Sequence, residues 1–97
     1  MNREEIFKDL EILETEFKNT LEISYLLERS IDSEVLEKLR RDLHILLRKI
    51  EIVREKLKNS CNKNIINKYM TDIYNIYKNV DPIIEKIVDI LSDKENN

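Results

Sequence analysis

Glycine, alanine, glutamine and tryptophan are absent from this chain, and proline and cysteine occur once each. Without glycine there is no loop whose bare backbone could cradle a phosphate. The single cysteine, Cys61, excludes an internal disulfide. We read it as a small, partly buried turn residue rather than half of an intermolecular bridge. One histidine and one distant cysteine do not make a zinc site. The Glu-x-x-His pair of di-iron bundles would need an acid at position 41, where Arg41 stands. No run approaches the roughly 18 uninterrupted apolar residues of a spanning helix. The opening Met1-Asn2-Arg3-Glu4-Glu5 is not a basic region followed by an apolar core. The expectation is a soluble, cytoplasmic protein without cofactor, metal or small-molecule substrate. No nucleophile–base–acid set stands out, and the acidic run of the first 22 residues reads as a solvated helix face.

The missing glycine and alanine and the scarce proline are the residues with GC-rich codons, which fits an AT-rich genome. A hot host would also explain the glutamate, lysine and isoleucine and the missing glutamine, but the ten asparagines argue against heat alone.

What is present is helical pattern. Of 97 residues, 41% are hydrophobic and 38% charged, too apolar for a disordered chain and too charged for a membrane protein. Leu36, Leu39, Leu43, Leu46, Ile50, Val53 and Leu57 succeed each other at alternating spacings of 3 and 4. That is a coiled-coil heptad stripe on one helix face. Ile45 and Ile52 beside it, with Leu47 on the other flank, widen the stripe enough to face two neighbours.

A segment nearer the N-terminus carries Ile6, Leu10, Leu13, Phe17, Thr20, Ser24, Leu27 and Ile31 at the same spacing. Its seam weakens at Thr20 and Ser24, where Leu21, Ile23, Tyr25 and Leu26 predict a shift of the buried face. A third segment repeats the pattern with Ile66, Tyr69, Ile73, Ile76, Val80, Ile83, Ile87 and Ile90, flanked by Met70, Tyr77, Ile84 and Leu91. Ser30-Ile31-Asp32-Ser33 separates the first two segments, with Asp32 or Ser33 as helix cap. Asn59 to Asn64 separates the last two. In a chain without glycine, Asn is the residue best able to end a helix left-handed, and Asn62 or Asn64 caps the third segment.

The reading is one domain over residues 1–97. It is an all-α, antiparallel up-down-up three-helix bundle with helices at about 3–29, 33–58 and 63–92 and a frayed tail at 93–97. Pro82 interrupts the third helix, which we expect to be kinked there or split into two collinear pieces, because the apolar phase continues through it. A helical homodimer sharing its core is the chief architectural competitor.

Charge is unevenly spread. Residues 1–28 hold eight acids and three bases, and residues 33–58 hold five acids and eight bases. The two segments are complementary hairpin partners. These patterns suit two function classes. The first is a non-enzymatic protein–protein interaction module: an adaptor, inhibitor or immunity-type regulator that binds itself or another protein through apolar helix faces. Its candidate residues are Tyr74, Tyr77 and Met70, with the outer row Ile45 and Ile52, since tyrosines beside a methionine are common in interfaces. The alternative is a nucleic-acid-associated regulator using the basic face of Arg40, Arg41, His44, Arg48 and Arg54. Glu37, Glu51 and Glu55 interleave with those cations, so a salt-bridged solvated face competes with it. His44, among arginines, reads as a surface residue.

Overall fold

The computed structural model describes the backbone of residues 3–59 and 62–96, and side chains as far as Asp93. The reading of Cys61 falls outside the described residues, as do Ser60 and Asn97. Three helices run in order: α1 (Arg3–Leu26), α2 (Ser33–Asn59) and α3 (Lys63–Asn96). Among the described residues there is no strand, and no helix is long and apolar enough to cross a membrane.

The ends of the helices have local causes. Asp32 Oδ1 accepts the Glu34 N–H at 3.0 Å, which makes Asp32 the cap of α2. Asn62 Oδ1 accepts the N–H groups of Asn64 at 3.0 Å and Ile65 at 3.4 Å and caps α3. Helix α1 stops three residues short of the expected end. The N–H groups of Ser30 and Ile31 both turn back onto the Leu27 carbonyl, at 3.0 and 3.2 Å. This tight turn buries Leu27 and Ile31 across the end of the bundle.

Helix α2 continues through Asn59, and no described residue has a positive φ. The expected left-handed asparagine cap is therefore absent among the described residues. Helix α3 runs unbroken through Pro82 to Asn96. The split into two pieces is not adopted, because Pro82 sits on the exposed side and the apolar rows on either side of it keep one phase. The backbone that was expected to fray after Ser92 is helical; Asp93-Lys94-Glu95 contains no residue that ends a helix.

All seven residues of the α2 stripe are buried. In α3, Ile66, Ile73, Val80 and Ile87 are buried at every seventh position. Rows on either side, Tyr69 with Ile76 and Met70 with Tyr77, are half-buried against them. Helix α2 lies close against both neighbours, whereas the backbones of α1 and α3 approach each other less closely.

Cross-links give the directions. Along α1, Arg3, Glu14 and Ser24 meet Leu57, Arg54 and Arg40 of α2, in the descending order of antiparallel helices. Along α3 the order ascends: Ile6 shares a hollow with Ile66 and Met70, and Phe17 meets Tyr77. Helices α1 and α3 are thus parallel, both running against α2.

The polar seam of α1 does not shift the buried face. Thr20 and Ser24 remain buried, while Tyr25 and Leu26 are exposed. Thr20 Oγ1 donates to the Glu16 carbonyl at 2.8 Å, and Ser24 Oγ donates to the Leu21 carbonyl at 2.6 Å. Satisfied in this way, both hydroxyls can be buried without the penalty of an unpaired polar group.

Candidate interaction surfaces

The five basic residues of α2 singled out from the sequence divide into two sets. Arg40 turns inward. Its Nε donates to Ser24 Oγ at 3.0 Å, and its Nη2 donates to the Ser24 carbonyl at 3.0 Å and to Glu28 Oε1 at 3.1 Å. The same guanidinium lies 4.1 Å from the centre of the Tyr25 ring. Arg54 reaches Glu14 Oε2 at 3.0 Å. Burial alone would raise the Glu14 carboxyl. The hydrogen bond and charge of Arg54, with Lys18 adding to them, outweigh that and hold its pKa below the ordinary 4.5. Two of the four arginines thus join α2 to α1.

Arg41, His44 and Arg48 stay on the exposed face. Glu37 and Arg41, four positions apart on the helix, do not form an ion pair among the described residues. Arg48 instead meets Glu51 at 3.3 Å in an exposed contact, of a kind that contributes little. Together with Lys49 these three surround a shallow hollow whose apolar floor is Ile45 and Ile52. Ile45 is exposed and Ile52 half-buried, so this row faces away from both neighbouring helices.

The residues proposed on α3 also divide. Tyr77 is packed into the bundle. Its ring lies 5.7 Å from that of Phe17 at an angle of 45°, and its hydroxyl donates to Glu16 Oε1 at 3.1 Å. Burial first, then the charge and hydrogen bonding of Glu16 and Asp81, push its pKa up to about 12. It is therefore a joint between α1 and α3 rather than a free side chain. Met70 is half-buried, in the hollow lined by Ile6, Ile66, Asn67 and Tyr74. Tyr74 is exposed.

The Tyr77–Glu16 contact also fixes which sides of α1 and α3 face each other. Tyr74, Asp81 and Val88 form one heptad row beside Tyr77. On α1, Glu16 and Ile23 form the facing row, with Ile12 just outside it and Leu26 on the outer face. In this parallel register Ile12 is level with Tyr74, and Ile23 with Ile84, one turn before Val88. The groove between the two helices thus has an apolar layer, an acidic layer and a second apolar layer. Ile12 is 65% exposed, Leu26 80%, Tyr74 45% and Val88 53%. Glu16 and Asp81 have no ion-pair partner among the described residues.

Ile12, Leu26, Val88, Glu16 and Asp81 were not singled out from the sequence. Their spacings of 7 and 14 are visible there, but nothing in a single helix says which flank meets a neighbour. Among the described residues no cluster of histidine, cysteine and acids could hold a metal ion. No protein-family model matches the chain, nor does any curated protein or solved structure.

Proposed function

We propose that this chain is a non-enzymatic protein–protein interaction module that takes a helix of its partner, a second copy or another protein, into the groove between α1 and α3. Adaptor, inhibitor and immunity-type regulator are the roles such a module fills, and the cytoplasm is the setting we assign it. The observation that carries the reading is the apolar side chains left open beside the α1–α3 seam, Ile12 on α1 and Tyr74 and Val88 on α3. Scattered single apolar residues on a surface need no explanation. With half-buried Ile23 they recur at helical spacing along that seam, the form in which an amphipathic helix is recognised. The wide approach of α1 and α3, bridged by Phe17 and Tyr77, supports it further. The nucleic-acid alternative loses support from the inward turn of Arg40 and Arg54.

A photo-cross-linking amino acid in place of Tyr74 tests the groove in the host cell. A discrete adduct from position 74, with none from the outward position Lys68, is expected. Equal labelling from both positions, or none from 74, would sink the reading.

A further inference from the structure

We propose that the groove between α1 and α3 accepts the outward face of α2 from a second copy, so that copies add head to tail. This rests on the groove being a helix-binding site and names what fills it. Three features point to a second copy in this orientation.

The first is charge. The middle of the groove holds Glu16 and Asp81, which share the Tyr77 hydroxyl and have no cation partner among the described residues. Whatever lies across them is favoured if it brings a positive charge into that layer. The exposed face of α2 presents Arg41, Arg48 and Lys49 around its apolar floor, with Glu37, Glu51 and Glu55 interleaved along the helix. Of these cations, Lys49 is held 3.8 Å from Asp72 and Arg48 only by its exposed pair with Glu51.

The second is pattern. The docking face of α2 reads apolar, basic, apolar: Ile45, then Arg48 and Lys49, then Ile52. The groove reads apolar, acidic, apolar. When Arg48 lies over Glu16 and Asp81, both isoleucines fall between the acidic layer and the two apolar layers. The lengths also agree. Helix α2 is 27 residues and α1, the shorter wall, is 24, about 40 and 36 Å at 1.5 Å per residue.

The third is symmetry. A two-fold dimer would pair each face with itself. Groove on groove would stack Glu16 and Asp81 against their own copies, and α2 on α2 would stack Arg48 near Arg48. Only the unlike pairing neutralises both. The two faces lie on opposite sides of the bundle, because α2 packs against both α1 and α3. A contact between unlike, opposite faces does not close with two copies. It continues as a row.

The test uses two variants of the purified chain and sedimentation velocity over a concentration series. One variant breaks the α2 face, Ile45→Glu with Ile52→Glu. The other breaks the groove, Tyr74→Glu with Val88→Glu. All four positions are exposed or half-buried, and matching helix content by circular dichroism checks that both variants fold. The wild-type chain should grow with concentration past the two-chain species, and growth should weaken with added salt. Each variant alone should stay at one chain. Their equimolar mixture should give a two-chain species and nothing larger, since it contains one intact face of each kind. As a second arm, Arg48→Glu should abolish growth, and adding Asp81→Lys to the same chain should restore it.

A wild-type chain that stays monomeric would overturn the proposal, as would a dimer that stops growing and that the mixed variants fail to restore. If the chain is monomeric while position 74 still cross-links to a different protein, the self-assembly fails and the helix-binding groove stands. If position 74 cross-links to nothing, both fall.

Discussion

Arg40 is the residue on which the α1–α2 joint depends most. It supplies donors to a buried serine hydroxyl, to the carbonyl of the same serine and to Glu28, and it covers the face of Tyr25. Removing it deletes three hydrogen bonds from a charged donor, while Ser24 Oγ keeps its bond to the Leu21 carbonyl; a hydrogen bond to a charged group contributes about 1.5–3 kcal/mol. Arg40→Ala should therefore lower the stability measured by urea unfolding by about 2 kcal/mol. Arg48→Ala, which removes an exposed ion pair, should stay within roughly 0.5 kcal/mol of wild type. A double-mutant cycle of Arg40→Ala with Ser24→Ala should show coupling. Additive losses would mean that the serine bonds contribute nothing.

Two titrating side chains add a pH dependence. The folded pKa of Tyr77 is raised from 10.0 to about 12. The protonated phenol is thus favoured in the folded state. The stability it contributes is fully present below pH 10 and is lost as pH rises through about 12. Glu14 behaves in the opposite sense. Its folded pKa lies below 4.5, so its contribution is present above that value and is lost as pH falls below it. In ultraviolet absorbance, the Tyr77 ionisation should occur above pH 10 and be missing in Tyr77→Phe, a variant that keeps the ring against Phe17. If the step lost in Tyr77→Phe lay at the ordinary value instead, the hydroxyl would not be held by Glu16.

At the level of the helices, the sequence was legible where apolar residues filled both core positions. All seven stripe residues of α2 are buried, and the caps at Asp32 and Asn62 form where a short polar side chain precedes the first turn. It misled at Thr20 and Ser24. A hydroxyl in a seam looks like a weak point until its partners are known, and for Ser24 the second partner comes from another helix, 16 positions away. Asp32→Ala and Asn62→Ala should each cost about 1 kcal/mol, the usual worth of a lost helix cap.

Pro82 offers a sharper test. Inside α3 it provides no N–H for the Lys78 carbonyl. Pro82→Ala should raise the thermal midpoint, with a gain of roughly 1–3 kcal/mol. A fall would mean that the bundle requires the geometry proline imposes.

For the molecule as a whole, the charge asymmetry between the first and second segments was readable from the chain. The structure shows how it is used. Glu14 with Arg54 and Glu28 with Arg40 join the hairpin, Lys49 reaches Asp72 of α3, and the remaining cations of α2 face outward. Periodicity identified the apolar rows but could not assign their flanks. That assignment needed one contact between distant parts of the chain, Tyr77 with Glu16, which placed the row of Tyr74 and Val88 on the flank that meets α1. Tyr74, Ile45 and Ile52 remain on open faces, whereas Tyr77 moves from the partner surface to the joint beneath it.

The most direct test of an apolar, acid-centred groove as the working surface is a dilution series of amide chemical shifts on the uniformly labelled chain. Concentration-dependent shifts should gather on two sets of residues, Ile12 to Leu26 with Tyr74 to Val88, and Arg41 to Ile52. Both sets should fall silent in the variant carrying Tyr74→Glu and Val88→Glu. Spectra that do not change with concentration, or shifts confined to other surfaces, would contradict self-association through this groove.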